Sequence, residues 1–284
     1  MNLGLLGRPE DQVGLTTQFD ANGSSAETIT KFVPGGGPLK LPRATNWSAS
    51  VDHRLTESIT ISANYLRRRV GDAFVYVNTL DFDAPPSALP LPNGVSGGVY
   101  QLANLRHDNY DAEGITVRQK LSGQHEWLIS YIHSRAVSNA VLDYNSADPL
   151  QVVPGKHPVP WDTPNRLLAW AYLPLPWKKW ALPILADART GFPFSVQDET
   201  GLINGPVDSH RYPFNFDFNI HLERIVTLHG YRFALRGGMN NVTNQKNPTA
   251  VNNVIGAPNF LQFYGYEGRH FVVRVRFFGR TSTK

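Results

Sequence analysis

Phe214-Asn-Phe-Asp-Phe-Asn-Ile-His-Leu-Glu223 is the stretch on which the fold turns. Successive side chains of an extended strand point to opposite faces. Phe214, Phe216, Phe218, Ile220 and Leu222 therefore share one face, and Asn215, Asp217, Asn219, His221 and Glu223 share the other. The same period of two recurs along the chain. Phe271, Val273, Val275 and Phe277 oppose His270, Arg274 and Arg276, and Tyr231, Phe233, Leu235, Gly237 and Met239 oppose Arg232, Ala234, Arg236 and Gly238. Nearer the start, Ile59, Ile61, Ala63 and Tyr65 stand against Ser58, Thr60, Ser62 and Asn64, and Trp47, Ala49 and Val51 against Ser48, Ser50, Asp52 and Arg54. Weaker alternation runs over 110–121, 126–136, 165–174 and 180–196. About nine strands are predicted, antiparallel where hairpins join them, with helical periodicity nearly absent.

The connections sharpen this reading. Short turns are predicted near Thr56-Glu57, Ser122-Gly-Gln124, Pro174 to Lys179 and Ile225 to Leu228. Between them run long links, 70–109, 136–164, 197–212 and 243–268, rich in Pro, Gly, Asn and Asp, as in Ala84-Pro-Pro-Ser-Ala-Leu-Pro-Leu-Pro-Asn-Gly94. Compact soluble sheets seldom carry several structureless loops above ~15 residues. A barrel of the bacterial outer membrane requires this asymmetry, with tight periplasmic turns on one rim and long extracellular loops on the other. The fold class expected is all-β, an antiparallel transmembrane β-barrel. Its apolar stripes would meet acyl chains and its polar faces a watery lumen, because backbone groups in hydrocarbon must all be paired. Phe218 would then touch lipid, and Asn219 would face the lumen and tolerate substitution. Trp47, Tyr65, Trp177, Trp180 and Tyr231 lie at stripe ends, where an interfacial aromatic girdle would form. A soluble β-sandwich shows the same alternation with its apolar faces turned inward. It remains the alternative, as a soluble all-β module binding carbohydrate through exposed Trp and Tyr.

Composition narrows the function classes. The 284 residues hold 18% charged side chains, below the roughly 25% of an ordinary soluble domain. With 41% hydrophobic and 11% aromatic residues, the chain can bury enough surface to order itself. Absence of Cys excludes disulfides, thiolate metal sites and a Cys nucleophile. A formal charge of +4 is too mild for a nucleic-acid partner. No run approaches the ~18 apolar residues of a membrane helix, and Met1 to Glu10 lacks the charged start of a secretory signal.

The motifs that might carry chemistry read as structure. Gly94-Val-Ser-Gly-Gly98 has nucleophile-elbow spacing but no helix after it. Val33-Pro-Gly-Gly-Gly-Pro38 lacks the Lys-Ser/Thr of a phosphate loop. The nine His show no zinc spacing. Asp208-Ser209-His210 are neighbours in sequence, whereas a triad is assembled in space. Asp81-x-Asp83 and Asp108-Asn109-x-Asp111 are possible calcium-loop pieces without the Gly and closing Glu of an EF-hand. No catalytic, cofactor-binding or metal-binding residue is expected, and the chain is not expected to be an enzyme. Asp217, His221 and Glu223 with Arg232, Arg236, Arg274 and Arg276 read as cross-strand charge pairs lining a lumen, or as a surface for an anionic solute. Arg67-Arg68-Arg69, at the long-loop end of its strand, reads as a solvated run or as a contact for lipopolysaccharide phosphates.

Two segments carry a resemblance. Arg189-Thr-Gly-Phe-Pro-Phe-Ser195 is similar to the Pro-Phe turn in the C-terminal half of TonB-dependent transporter barrels. Asn240-Asn-Val-Thr-Asn-Gln-Lys-Asn-Pro248 resembles the Asn-rich segment near their end, followed as there by a loop and by Gly268-Arg269 opening a closing strand that ends near Phe278. The order of these pieces over residues 40–278 looks most like the Oar-like branch of that superfamily. The resemblance implies energised uptake of a bulky solute across the bacterial outer membrane. The implied partners are outer-membrane lipid and lipopolysaccharide, a plug domain, the remaining barrel strands, and the TonB complex through an N-terminal part not in this sequence. Residues 41–279 would form the C-terminal barrel region, about 9–10 strands of the roughly 22 in such barrels. Residues 1–40 form a poorly patterned N-terminal segment and 280–284 a tail. A strand upstream of 44–55 is wanting unless Val13 to Asp20 or Thr28 to Val33 supplies it, so a fragment of a longer barrel is expected. A small passive outer-membrane pore is the alternative.

Overall fold

The computed structural model describes residues 13–19, 25–33, 38–78, 99–143, 152–199 and 201–280. In chain order the strands are β1 (Val13–Phe19), β2 (Ser25–Val33), β3 (Arg43–Arg54), β4 (Ile59–Asn78), β5 (Val99–Lys120), β6 (Glu126–Ala140), β7 (Val152–Pro158) and β8 (Asn165–Pro174). They continue as β9 (Trp180–Arg189), β10 (Pro193–Phe194), β11 (His210–Arg211), β12 (Asn215–Leu228), β13 (Tyr231–Asn240), β14 (Ala250–Val251), β15 (Phe263–Tyr264) and β16 (His270–Arg280). No helix occurs among the described residues.

Twelve of these strands form one sheet. Its body is an antiparallel meander, β3-β4-β5-β6-β8-β9-β12-β13-β16, in which each strand pairs with its neighbour in this order. Among the described residues β3 and β16 pair on one side only, so the barrel is not closed. The hairpin β1–β2 attaches elsewhere than the sequence predicts. β2 runs parallel to the start of β5, with Lys31 opposite Val99 and Val33 opposite Gln101, and leaves the edge of β3 free. The Ile225–Leu228 turn is also misplaced: β12 continues through Leu228, and the reversal falls at His229 and Gly230, both with positive φ. The long links hold more strand than expected, because β4 and β5 extend to 20 and 22 residues and carry the sheet beyond its neighbours.

Burial decides between the two solvents. Phe271 and Val273 are each 68% exposed, Val275 62% and Phe277 59%. On the opposite face, Asn219 is 7% and Glu223 5% exposed. Trp47, Val51, Ile115, Ile129, Leu167, Leu222 and Leu235 extend the exposed apolar face across the sheet. In a sandwich these stripes would interdigitate with a second sheet. Among the described residues the only other sheets are two-stranded, β10–β11 and β14–β15. The architecture is therefore that of a partial barrel with an apolar outer face and a polar inner face. Aromatic residues mark both ends of the outer stripe. Trp47 and Tyr65 lie toward the long links, Trp177 and Tyr231 at the short-turn rim, and the Arg224 guanidinium sits 5.1 Å from the Trp180 ring.

One inner-face expectation fails. Asn219 is not a freely substitutable lumen residue, because its Oδ1 accepts from Asn241 N (2.8 Å) and its Nδ2 donates to Asp217 Oδ2 (3.0 Å). The Asn-rich segment is a backbone clamp. Asn241, buried at φ 48°, donates through Nδ2 to Gln245 O and Glu267 O and accepts at Oδ1 from Gln245 N. Asn247 pairs with both backbone groups of Phe216, replacing a strand partner (3.1 and 2.8 Å). Asn accepts a left-handed backbone better than most residues, which accounts for its use at 241. Asn241→Ala leaves two carbonyls and an amide without this buried partner in a turn that is otherwise half-buried or exposed. It is expected to cost about 2–4 kcal/mol in denaturant unfolding.

Candidate functional site

The links on the long-loop side fold onto the inner face and cap it. After β9 the chain turns inward at Gly191, so that Pro193 and Phe194 of β10 pair with Arg211 and His210 of β11. A Cβ on Gly191 would lie 1.9 Å from the Tyr212 carbonyl oxygen, so only glycine fits this approach. Phe194 then packs edge-on against Tyr212 (5.3 Å) and Phe263 (6.2 Å). The Pro-Phe turn thereby roofs the inner face.

Buried charges tie the cap to the wall. Asp162, 3% exposed, accepts from Ala136 N of β6 (2.7 Å) and pairs with Arg211 Nη2 (2.5 Å). Arg211 Nη1 also donates to the carbonyls of Asp162 and Gly191 (3.1 Å each). Beside this lies Asp208, fully buried at φ 51°, whose N–H donates to Ser195 Oγ (2.9 Å) and whose Oδ2 is 3.7 Å from His157 Nδ1. Among the described residues Asp208 Oδ2 and His157 Nε2 have no hydrogen-bond partner. Burial pushes the Asp208 carboxyl above the ordinary carboxylate range; His157 pulls it back, and the nearby Asp143 raises it further.

Ser, His and Asp meet here without forming a hydrolytic arrangement. The serine bonds to the aspartate rather than to the histidine, and Ser195 and Asp208 are both buried. The sequence neighbours Ser209 and His210 do touch (Oγ to Nδ1, 3.1 Å), but Asp208 points away into this cluster.

Cavities line the inner face among the described residues. One of about 700 Å³ under the cap is bounded by Arg68, Arg106, Tyr110, Trp161, Arg166 and Phe192. A second of about 550 Å³ shares Arg189 and Phe192 with it. Arg106 pairs with Asp108 (2.8 Å) and Arg166 with Asp187 (2.7 Å). Arg68 and Arg189 hold no ion pair among the described residues, and Arg189 lies 4.2 Å from the Phe192 ring centre. The cap cavities thus offer guanidiniums beside aromatic faces, with the carboxylates of Asp143, Asp187, Asp217 and Glu267 in the same lining. A third cavity, about 590 Å³, lies toward the short-turn rim and is lined by Tyr172, His221, Glu223, Arg232, Arg236 and Arg276. Glu223 accepts from Arg236 (2.7 Å to Nε) and Tyr172 (2.8 Å), a cross-strand pair of the kind the sequence predicts. Arg274 and Arg276 make no ion pair among the described residues, and Arg232 faces the Phe278 ring (5.5 Å).

The other sequence candidates separate. Asp108 turns inward to Arg106 and Asp111 outward to Arg67 and Arg69, so the two cannot hold one cation. Gly94–Gly98, Asp81, Asp83 and residues 34–37 lie outside the described residues. Among the described residues no cluster of His, Asp and Glu suits a metal ion. The residues that sequence reading missed are the cap partners of Asp208 and the cap's other charged pair: Asp143, His157, Asp162 and Arg211. They are isolated in the chain, and only the folding of three links onto one another brings them together.

No family profile and no curated protein matches the sequence. Among solved structures the chain is similar to the outer membrane transporter YddB from Escherichia coli, at 10% identity and a TM-score of 0.60. The similarity covers 89% of this chain and 34% of that one, so the chain spans about a third of the neighbour's length. The fold shared is that of an outer-membrane transporter barrel, in part.

An acid whose carboxyl is raised by burial costs stability while ionised, and the cost disappears as pH falls through its raised value toward the ordinary ~4. Thermal melts of the solubilised protein should therefore show the Asp208 region gaining stability on mild acidification. Asp208→Asn should melt higher than the parent at neutral pH and lose that part of the pH dependence, by on the order of 1.4 kcal/mol for each unit of displacement.

Proposed function

We propose that this chain is part of the wall of an outer-membrane β-barrel transporter, seated in the bacterial outer membrane with β3 to β16 spanning it. The observation that carries the reading is the inverted burial, with the Phe271–Phe277 stripe exposed and Glu223 and Asn219 sequestered on the other face. Hydrocarbon accepts such a stripe, and it also demands that every backbone N–H and C=O be paired. The free edges of β3 and β16 are then completed by further strands of a larger barrel, and the solute path runs along the arginine-bearing inner face. The exposed inner face of β3 suits a surface that a plug domain covers.

The finer reading is energised uptake of a bulky solute in the manner of TonB-dependent transporters, with plug and TonB contact supplied by protein outside this sequence. The order of the Pro-Phe turn, the Asn-rich clamp and the closing strand supports it. No reaction chemistry is assigned, and the Ser195–Asp208–His157 cluster serves to hold the cap.

The test uses two adjacent positions on β3 with opposite faces. Val51→Arg places a charge on the exposed apolar stripe and should cost about 2–4 kcal/mol in refolding into phosphatidylcholine vesicles. Ser50→Arg, beside it on the exposed inner face, should refold like the parent, read by heat-modifiable gel mobility. Equal tolerance of both substitutions excludes a membrane-facing stripe.

A further inference from the structure

The outer face of β4, β5 and β6 changes character within a few register steps. Ile115 lies between Ala63 and Tyr131. The next outward row toward the long links is Tyr65, Glu113 and His133. Arg67, Asp111 and Arg135 follow, and then Arg69, Asn109 and Val137. Trp47 stands beside Arg67 in the register of β3. Asp111 organises the cluster, accepting from Arg67 Nε (2.8 Å), Arg69 Nη2 (2.7 Å) and Tyr65 Oη (3.3 Å). The terminal nitrogens of Arg67 make no hydrogen bond among the described residues, and Arg135 makes no ion pair among them. Lys156 of β7 joins the group through Asn109: its Nζ lies 2.6 Å from the Asn109 side-chain amide, which accepts with its oxygen turned to the ammonium. Four cations therefore gather against the two carboxylates Asp111 and Glu113, on a surface where all but the half-buried Asp111 and Arg69 are exposed.

We propose that Arg67, Arg69, Arg135 and Lys156 form a docking site for the phosphates of lipid A, the phosphorylated glycolipid of the outer leaflet. The inference rests on the outer-membrane reading above. Two features favour a lipid over a soluble anion. The cations begin in the row of Trp47, one outward row beyond Tyr65, at the level of a headgroup, and the apolar stripe continues beneath them from Ala63, Ile115 and Tyr131 for the acyl chains. The guanidiniums also lie on the outer face, away from the inner cavities; Arg69 donates through Nη1 to the Arg68 and Tyr110 carbonyls and through Nη2 to Asp111, whereas Arg67 donates to Asp111 only through Nε and keeps its terminal nitrogens for a phosphate. Inward-pointing Arg68, between them in sequence, belongs to the cap cavity instead.

The test titrates the full chain in detergent micelles with bisphosphorylated lipid A and with the same lipid after phosphate removal, following tryptophan fluorescence. The phosphorylated lipid should bind at least ~10-fold more tightly, with an affinity that falls as salt rises. Arg67→Gln/Arg69→Gln/Arg135→Gln should lose most of that preference. Arg135→Gln/Lys156→Gln, which breaks no ion pair seen in the structure, should lose part of it with the β-sheet circular dichroism unchanged. Arg274→Gln/Arg276→Gln, removing inner-face cations, should bind as the parent does. No preference for the phosphorylated lipid, or an equal loss in the inner-face variant, overturns the proposal. Competition by millimolar inorganic phosphate overturns the lipid as its ligand. A chain that refolds into phosphatidylcholine vesicles yet ignores the phosphates sinks the docking site alone; a chain that never inserts sinks the outer-membrane reading.

Discussion

Every other feature of this molecule depends on one constraint: the two faces of a single sheet meet different surroundings while its backbone pairs only with itself. A strand presents its side chains alternately, so one alternation of residue types sets both faces at once. From β3 to β16 the polar set points inward, where links fold over it, and the apolar set points outward with no second sheet packed on it among the described residues. Reversing the faces would bury Phe271, Val273, Val275 and Phe277 and leave Glu223 and Asn219 in the open.

The polar interior follows from the same constraint. A wall whose apolar residues face outward has few hydrocarbon side chains left for a core, so order on the inner side comes from hydrogen bonds and charge pairs. Asp162 with Arg211, Glu223 with Arg236 and Tyr172, and Asn241 with Asn219 and Gln245 do the fastening that leucines do in a soluble domain. Such networks hold only when satisfied, because a buried polar atom without a partner carries its full desolvation cost. Among the described residues Asp208 Oδ2, His157 Nε2 and Gln197 Nε2 are buried without a hydrogen-bond partner, and the burial of the Asp208 carboxyl makes that corner responsive to pH.

The outer surface is graded as well. The apolar stripe gives way to tyrosines and tryptophans, and on β4 to β6 to a cationic cluster organised around Asp111. This gradient from hydrocarbon-like to aromatic to charged matches the profile of half a bilayer. In the proposed transporter this gradient would join the wall to the lipid around it.

The sequence by itself determined the all-β class, the strand faces and most of the short turns, because a period of two is a local property that each strand carries whole. It also located the Pro-Phe turn and the Asn-rich segment, whose glycine and asparagines answer to local backbone demands. Tertiary structure alone decided which solvent each face meets, since alternation is identical in a sandwich and a barrel and only the presence or absence of a facing sheet separates them. It alone decided that Asn219 is a fastened residue and that β2 joins β5 and leaves β3 an edge. It likewise assembled Asp143, His157, Asp162, Ser195, Asp208 and Arg211 into one cap, because contacts between residues tens of positions apart leave no periodic trace in the chain.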